Sequence, residues 1–209
     1  MKRRTFLKGA TALTLAGPAA IGRAAAQSAT TLKFVPQANL TALDPVWTTA
    51  TVTNNHGYYV YDTLYGLDLA GKPQPQMIES HEVAPDGKSW RFKLRDGLAF
   101  HDGAAVKAAD ALQSLKRWVQ RDPYGQLLAK VMESSAAVDD KTFEIKLTRA
   151  FPMLLDVLAK ADSPLFIMPE RLAQTDATKQ VTEVIGSGPL IFIPAELLFV
   201  INFGLEYFD

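Results

Sequence analysis

The sequence predicts an α/β fold of mixed α+β character, built around β-hairpins. Three observations point there. Trp90, Phe92 and Leu94 alternate with Arg91, Lys93 and Arg95. Successive side chains on a strand face opposite ways, so this stretch has one apolar and one basic face. Phe143, Ile145 and Leu147 alternate with Glu144 and Lys146 in the same period. Between them Val106, Leu112, Leu115, Trp118 and Val119 recur at the spacing of one helix face.

Taken in order, residues 1–26 read as an export signal. Lys2, Arg3, Arg4 and Lys8 make a basic start, Gly9 to Gly22 a short apolar stretch, and Ala24-Ala25-Ala26 the small residues that a signal peptidase accepts. The Arg-Arg-x-Phe-Leu-Lys run is similar to a twin-arginine (Tat) signal. Spanning a bilayer takes about 20 apolar residues, and this stretch is shorter and broken by Pro18. Thr31 to Val35 reads as a strand opening the exported part. Asn55 to Tyr65 reads as a helix, with Tyr58, Tyr61, Leu64 and Tyr65 on one face and Gly66 as its C-cap.

Pro85-Asp86-Gly87-Lys88 is turn chemistry inside a hairpin over Glu82 to Arg95. The helix over 106–120 has Lys107 where a hydroxyl or amide would cap it, a loss of about 1 kcal/mol, and Asp110 in its first turns offsets part of that through the helix dipole. A second hairpin spans Ala136 to Leu147 around Asp139-Asp140-Lys141. The two adjacent carboxylates read as solvated turn formers rather than as an acid–base pair. Phe151-Pro152 starts a helix through Ala159, and Phe166 to Pro169 reads as the end of a buried strand. Pro189 to Leu205 is almost wholly apolar, with Asn202-Phe203-Gly204 its one turn-like break, and reads as a buried strand pair if covered and an aggregation hazard if not.

Length and charge narrow the function. The 209 residues allow one domain, or one domain with a small subdomain. Formal charge is zero, but five cations and no acid precede Gln27, which leaves 17 basic against 22 acidic residues downstream, about −5. A mildly acidic surface argues against nucleic-acid binding. With no cysteine there is neither a disulfide staple nor thiol chemistry. His56, His81 and His101 stand at no metal-ligand spacing.

Leu94-Arg95-Asp96-Gly97 followed by Phe100-His101-Asp102-Gly103 resembles the signature of bacterial extracellular solute-binding proteins of family 5, the receptors for dipeptides, oligopeptides and nickel that feed ABC importers. Leu43-Asp44-Pro45, the Tyr61-Asp62-Thr63-Leu64-Tyr65 run, the strand pair around Asp139 and Ile185-Gly186-Ser187-Gly188-Pro189 are similar to further segments of that family. The resemblance implies a lobe of the type II periplasmic binding protein kind, incomplete, with a hairpin-rich small subdomain. It divides the chain into 27–50 as the start of the large lobe, 51–185 as the small subdomain and 186–209 as the return into the large lobe. Leu190 replaces the family's aromatic after Gly-Pro, and the second lobe, which closes on the ligand in that family, is missing from these 209 residues.

The implied function is a periplasmic receptor, a monomer without cofactor, that closes two lobes on a small peptide or related solute and delivers it to an inner-membrane ABC permease. Thr49, Thr51, Asn54 and Asn55 are the candidate ligand contacts, because hydroxyl and amide groups can hydrogen-bond a peptide backbone; the same residue types also serve as a solvated loop and helix cap. Ser187 and Gly188 are candidates near the hinge. A phosphate-cradling role for this glycine pair lacks the Lys-Ser/Thr of a P-loop. Two other classes stay open: a partial lobe, binding-incompetent or dependent on another chain, and a secreted hydrolase with His101 in its site.

Overall fold

The computed structural model describes residues 35–193 and 198–201, all within one unit that begins at Lys33. The export signal, most of the strand predicted at Thr31 to Val35 and the break at Asn202 lie outside the described residues. No described helix is long and apolar enough to cross a membrane.

The 90–95 alternation becomes the centre of a four-stranded antiparallel sheet. β3 (Ile78–Val83) and β4 (Ser89–Leu94) form the first hairpin, β5 (Met132–Ala137) and β6 (Thr142–Leu147) the second, and β4 pairs with β6, giving the order β3-β4-β6-β5. The register sets Phe92 opposite Phe143 and Trp90 opposite Ile145. Trp90, Phe92, Leu94, Phe143, Ile145 and Leu147 are all buried, and the Phe92 and Phe143 rings stack at 5.2 Å. Each such side chain contributes roughly 1.5–3 kcal/mol by leaving water. On the other face Arg91 is directly opposite Glu144 and ion-paired with it. The first turn closes as expected: the Gly87 amide donates to the Ala84 carbonyl, with Gly87 at φ 68°. In the second, the Asp139 carboxylate accepts the Lys141 and Thr142 amides, which holds that exposed carboxyl below its ordinary value.

Helix α2 (Ala108–Trp118) covers the apolar face of the sheet, with Leu112, Leu115 and Trp118 buried. Asp110 does more than meet the helix dipole. Its Oδ2 accepts the Lys107 amide at 2.7 Å and its Oδ1 the Glu170 amide at 2.6 Å, so one carboxylate serves the start of α2 and a second helix. Burial raises its pKa and these two bonds oppose that.

Several expected boundaries move. The helix predicted over 55–65 is α1, Thr51–Val60. It stops at Val60 because Tyr61 turns extended (φ −114°, ψ 154°). Tyr65 begins a short strand, β1 (Tyr65–Leu67), paired with β2 (Pro73–Pro75), so Gly66 is a strand residue and not a helix cap. Tyr61, Leu64 and Tyr65 are buried and Tyr58 is exposed; the periodicity that suggested one helical face is met by a helix followed by an extended segment. Helix α3 (Pro123–Ala129), absent from the sequence reading, is capped by Asp122, whose carboxylate accepts the Tyr124 and Gly125 amides. α4 (Leu154–Ala159) starts later than Pro152. Phe166 makes only an isolated bridge to Thr63, and the chain turns there into α5 (Glu170–Ala173). β7 (Leu190–Ile193) pairs with β8 (Leu198–Ile201).

Among the described residues two apolar cores result. The larger joins the four-stranded sheet to α2, α3 and α4. The smaller gathers Val46, Val60, Tyr61, Phe166, Met168, Leu172 and Ala173, with Phe192 packed against it.

Candidate functional site

The segment 159–163 borders two adjoining grooves that share Leu67 and Ala161. The larger, about 680 Å³, is lined by Thr49, Trp118, Arg121, Tyr124, Lys160 and Asp162 among others. The smaller, about 450 Å³, is walled by Tyr58, Asp62, Tyr65, Gln76 and Pro189.

The ridge between them is fixed from both sides. The Ala161 carbonyl accepts from Asn54 Nδ2 at 3.3 Å and from the Tyr58 hydroxyl at 2.7 Å. Burial, with the Asp162 charge, pushes the Tyr58 phenol up, so it donates throughout the physiological range. Ser163 sits at φ 48°, a left-handed conformation costly for a residue with a side chain. Its carbonyl accepts from Trp118 Nε1 at 2.9 Å and from Lys160 Nζ at 3.5 Å. The Lys160 ammonium lies 5.8 Å from the Trp118 ring centre and 5.5 Å from that of Tyr124, and it ion-pairs with buried Asp122. These contacts tie 160–163 to α2 and α3.

A buried ion pair holds the segment at Asp44. Arg117 Nη1 and Nη2 meet Asp44 Oδ1 and Oδ2 at 3.1 and 2.6 Å, with both side chains 1% exposed. Arg117 also donates to the Thr175 and Lys179 carbonyls. Asp44 further accepts the Val46, Trp47 and Val181 amides. The Leu43-Asp44-Pro45 motif therefore anchors the strip that carries Thr49 into the larger groove.

The six candidate residues do not form one cluster. Thr49 is exposed and lines the larger groove. Thr51 is the exposed first residue of α1, Asn54 supports the ridge, and Asn55 is half-buried. Ser187 and Gly188 lie at the other end of α1, where the Gly188 amide donates to the Val60 carbonyl. At 1.5 Å per residue the ends of α1 are about 14 Å apart. Thr48 accepts the Ala50 amide through its hydroxyl, but no side chain caps α1.

Sequence reasoning did not single out Arg117, Arg121, Tyr124 or Lys160. Arg117 carried a readable signal, since a charge next to Trp118 inside the apolar arc of α2 must find a buried partner. Lys160 carried none, because its rings and carboxylate arrive from α2 and α3.

Asp62, His101 and Ser187 are neighbours, the residue types of a hydrolytic triad. Their geometry is different. His101 Nε2 donates to the Gly188 carbonyl at 2.8 Å. The Ser187 hydroxyl faces Asp62 but makes no directed hydrogen bond among the described residues. A nucleophile must reach its base, and here the base is turned to a carbonyl. Burial raises the Asp62 carboxyl, while Ser187, Gln76, Arg95 and His101 oppose that. Among the described residues no set of three His, Cys, Asp or Glu side chains is placed to hold a metal.

Comparison with known proteins decides the family. Residues 72–192 match the model of the bacterial extracellular solute-binding proteins, family 5, middle region. The chain belongs to this family. It is 43% identical over 154 residues to a probable peptide ABC transporter periplasmic-binding protein, y4tO, of Sinorhizobium fredii, covering 74% of this chain and 29% of that one. It also resembles, at TM-score 0.64 and 25% identity, NikA from Brucella suis in complex with Fe(III)-EDTA, over 78% of this chain and 33% of that one. The binding protein AgaA of A. tumefaciens R10, solved with agropinic acid, aligns at TM-score 0.60 and 29% identity over 73% and 31%. The family 5 chain described here thus spans about a third of the length of these relatives. The structural matches bear out a lobe of the type II periplasmic binding protein kind.

Proposed function

We propose that this chain forms part of the receptor of an ABC importer for peptides or similarly polar small solutes, acting in the periplasm with an inner-membrane permease. The observation that carries the reading is the larger groove of a family 5 lobe. Its lining brings together Arg121 and Lys160, Asp156 and Asp162, and exposed Tyr124. Both charge signs beside aromatic surface suit a zwitterionic solute. Thr49, at the groove, and Thr51, Asn54 and Asn55, on α1, are the contacts we assign to this lobe. Ser187 and Gly188 mark the crossing between the small subdomain, 51–185, and the return at 186–209. Closure of a second lobe would complete burial of the solute.

The test is ligand-induced stabilisation of residues 27–209. Di- to pentapeptides, agropinic acid and Fe(III)-EDTA are the probes. A solute at a hundred times its Kd adds about 2.7 kcal/mol, a Tm rise of roughly 5–10 °C for a chain of this size. No shift with any probe would mean that the chain alone is not a competent receptor, which is the partial-lobe reading. Turnover of peptides or esters, lost in His101→Ala, would favour the hydrolase instead. We also propose that residues 1–26 direct export by the Tat route. Product recovered from the periplasm should then lack them, and replacing Arg3 and Arg4 by lysine should block its appearance there.

A further inference from the structure

The Phe100-His101-Asp102-Gly103 and Gly186-Ser187-Gly188-Pro189 motifs meet, although 87 residues separate His101 from Gly188. We propose that His101 is a positioning residue. It clamps residues 186–189 against the C-terminal end of α1 and thereby sets the Pro189 wall of the smaller groove. This rests on the solute-receptor reading only in giving that groove a use.

The clamp has three bonds. The His101 amide donates to the Gly186 carbonyl at 2.8 Å and its Nε2 to the Gly188 carbonyl at 2.8 Å. The Gly188 amide donates to the Val60 carbonyl at 2.9 Å. The last carbonyls of a helix lack partners within it, so the crossing supplies one to α1. A carbonyl only accepts, so the ring proton is on Nε2. Nδ1 is buried and makes no hydrogen bond among the described residues.

The donor is itself held. The Phe100 amide donates to the Ala104 carbonyl and the Gly103 amide to the Phe100 carbonyl, at 2.8 and 2.9 Å, closing a tight turn that presents His101. Both glycines are required by contact. A Cβ on Gly186 would fall 1.9 Å from the Val60 oxygen, and one on Gly188 2.7 Å from the Val60 carbonyl carbon. Backbone therefore lies directly on backbone, and the imidazole bonds the carbonyl of the same Gly188 whose amide bonds Val60. Pro189, the next residue, lines the smaller groove with Tyr58 and Asp62.

Hydrogen exchange on the full chain, resolved by residue, tests this without any ligand. In wild type the Gly188 amide should exchange far more slowly than an unstructured one. His101→Ala should speed exchange of the amides from Gly186 to Leu190, other than Pro189, by about five- to tenfold, the loss of one hydrogen bond, and leave β4 and β6 unchanged. His101→Gln carries an Nε2 donor the same number of bonds from Cβ, and should recover at least half of the protection. The proposal is overturned if His101→Ala changes nothing there, if His101→Gln behaves like His101→Ala, or if the acceleration spreads equally into β4 and β6. Should His101→Ala not accumulate folded, wild type decides: a Gly188 amide within tenfold of the unstructured rate overturns it. Failure to bind any solute would leave these outcomes untouched.

Discussion

Replacing Arg117 by methionine should be among the most damaging single changes in this chain. Arg117 and Asp44 are each 1% exposed and share two hydrogen bonds, at 3.1 and 2.6 Å. Removing one partner of a buried pair costs about 3–5 kcal/mol, because the remaining charge is stranded. Asp44 keeps the amides of Val46, Trp47 and Val181, which favours the lower end of that range. The Thr175 and Lys179 carbonyls lose their donor, and each adds about 1 kcal/mol if left dry. The expected total is about 5 kcal/mol, a large share of the stability of an ordinary domain. Urea unfolding followed by circular dichroism measures it. Asp44→Asn combined with Arg117→Met should cost at least about 1 kcal/mol less than the two single changes together, because the double variant strands no charge. A single-variant cost under about 1 kcal/mol, or strict additivity, would refute the reasoning.

Other consequences can be checked alongside. Burial pushes His56 down to about 4 from 6.5, so the unfolded chain binds the extra proton first. The neutral ring contributes fully above pH 6.5, and up to about 3 kcal/mol is lost as pH falls from 6.5 to 4; His56→Leu should flatten the urea midpoint across that window. Asp62 and Asp110 are raised by burial and act the opposite way, their cost growing as pH rises from the unfolded carboxyl value to the folded one and standing in full above it; Asp110→Asn tests the α2 start separately. With an amide in place of the carboxylate, one backbone bond should weaken at a cost of about 1 kcal/mol at pH 7. Gly188→Ala should cost at least about 2 kcal/mol, since its Cβ meets main chain and not a side chain that can move. Lys160→Met should free the 160–163 ridge, seen as faster exchange at Ala161 and Ser163, while β4 and β6 stay protected.

The sequence by itself determined the sheet and its main covering helix. Period-two alternation at Trp90 to Leu94 and Phe143 to Leu147 can bury only one face, and that face must be covered, here by the helix whose apolar arc is Leu112, Leu115 and Trp118. It also carried the family signature, because the turn at Phe100 to Gly103 and the glycine pair at 186–188 need particular residues to close. Tertiary structure alone decided where α1 ends. Tyr61 and Tyr65 kept a helical spacing by chance, and the pull of the smaller core on Tyr61 and the pairing of Tyr65 with Pro75 won over local preference. It alone brought Asp44 to Arg117, Lys160 to Trp118 and Tyr124, and His101 to Gly188. Each of these contacts is a bond between side chains or loops distant in sequence, and its strength comes from burial that no local pattern records.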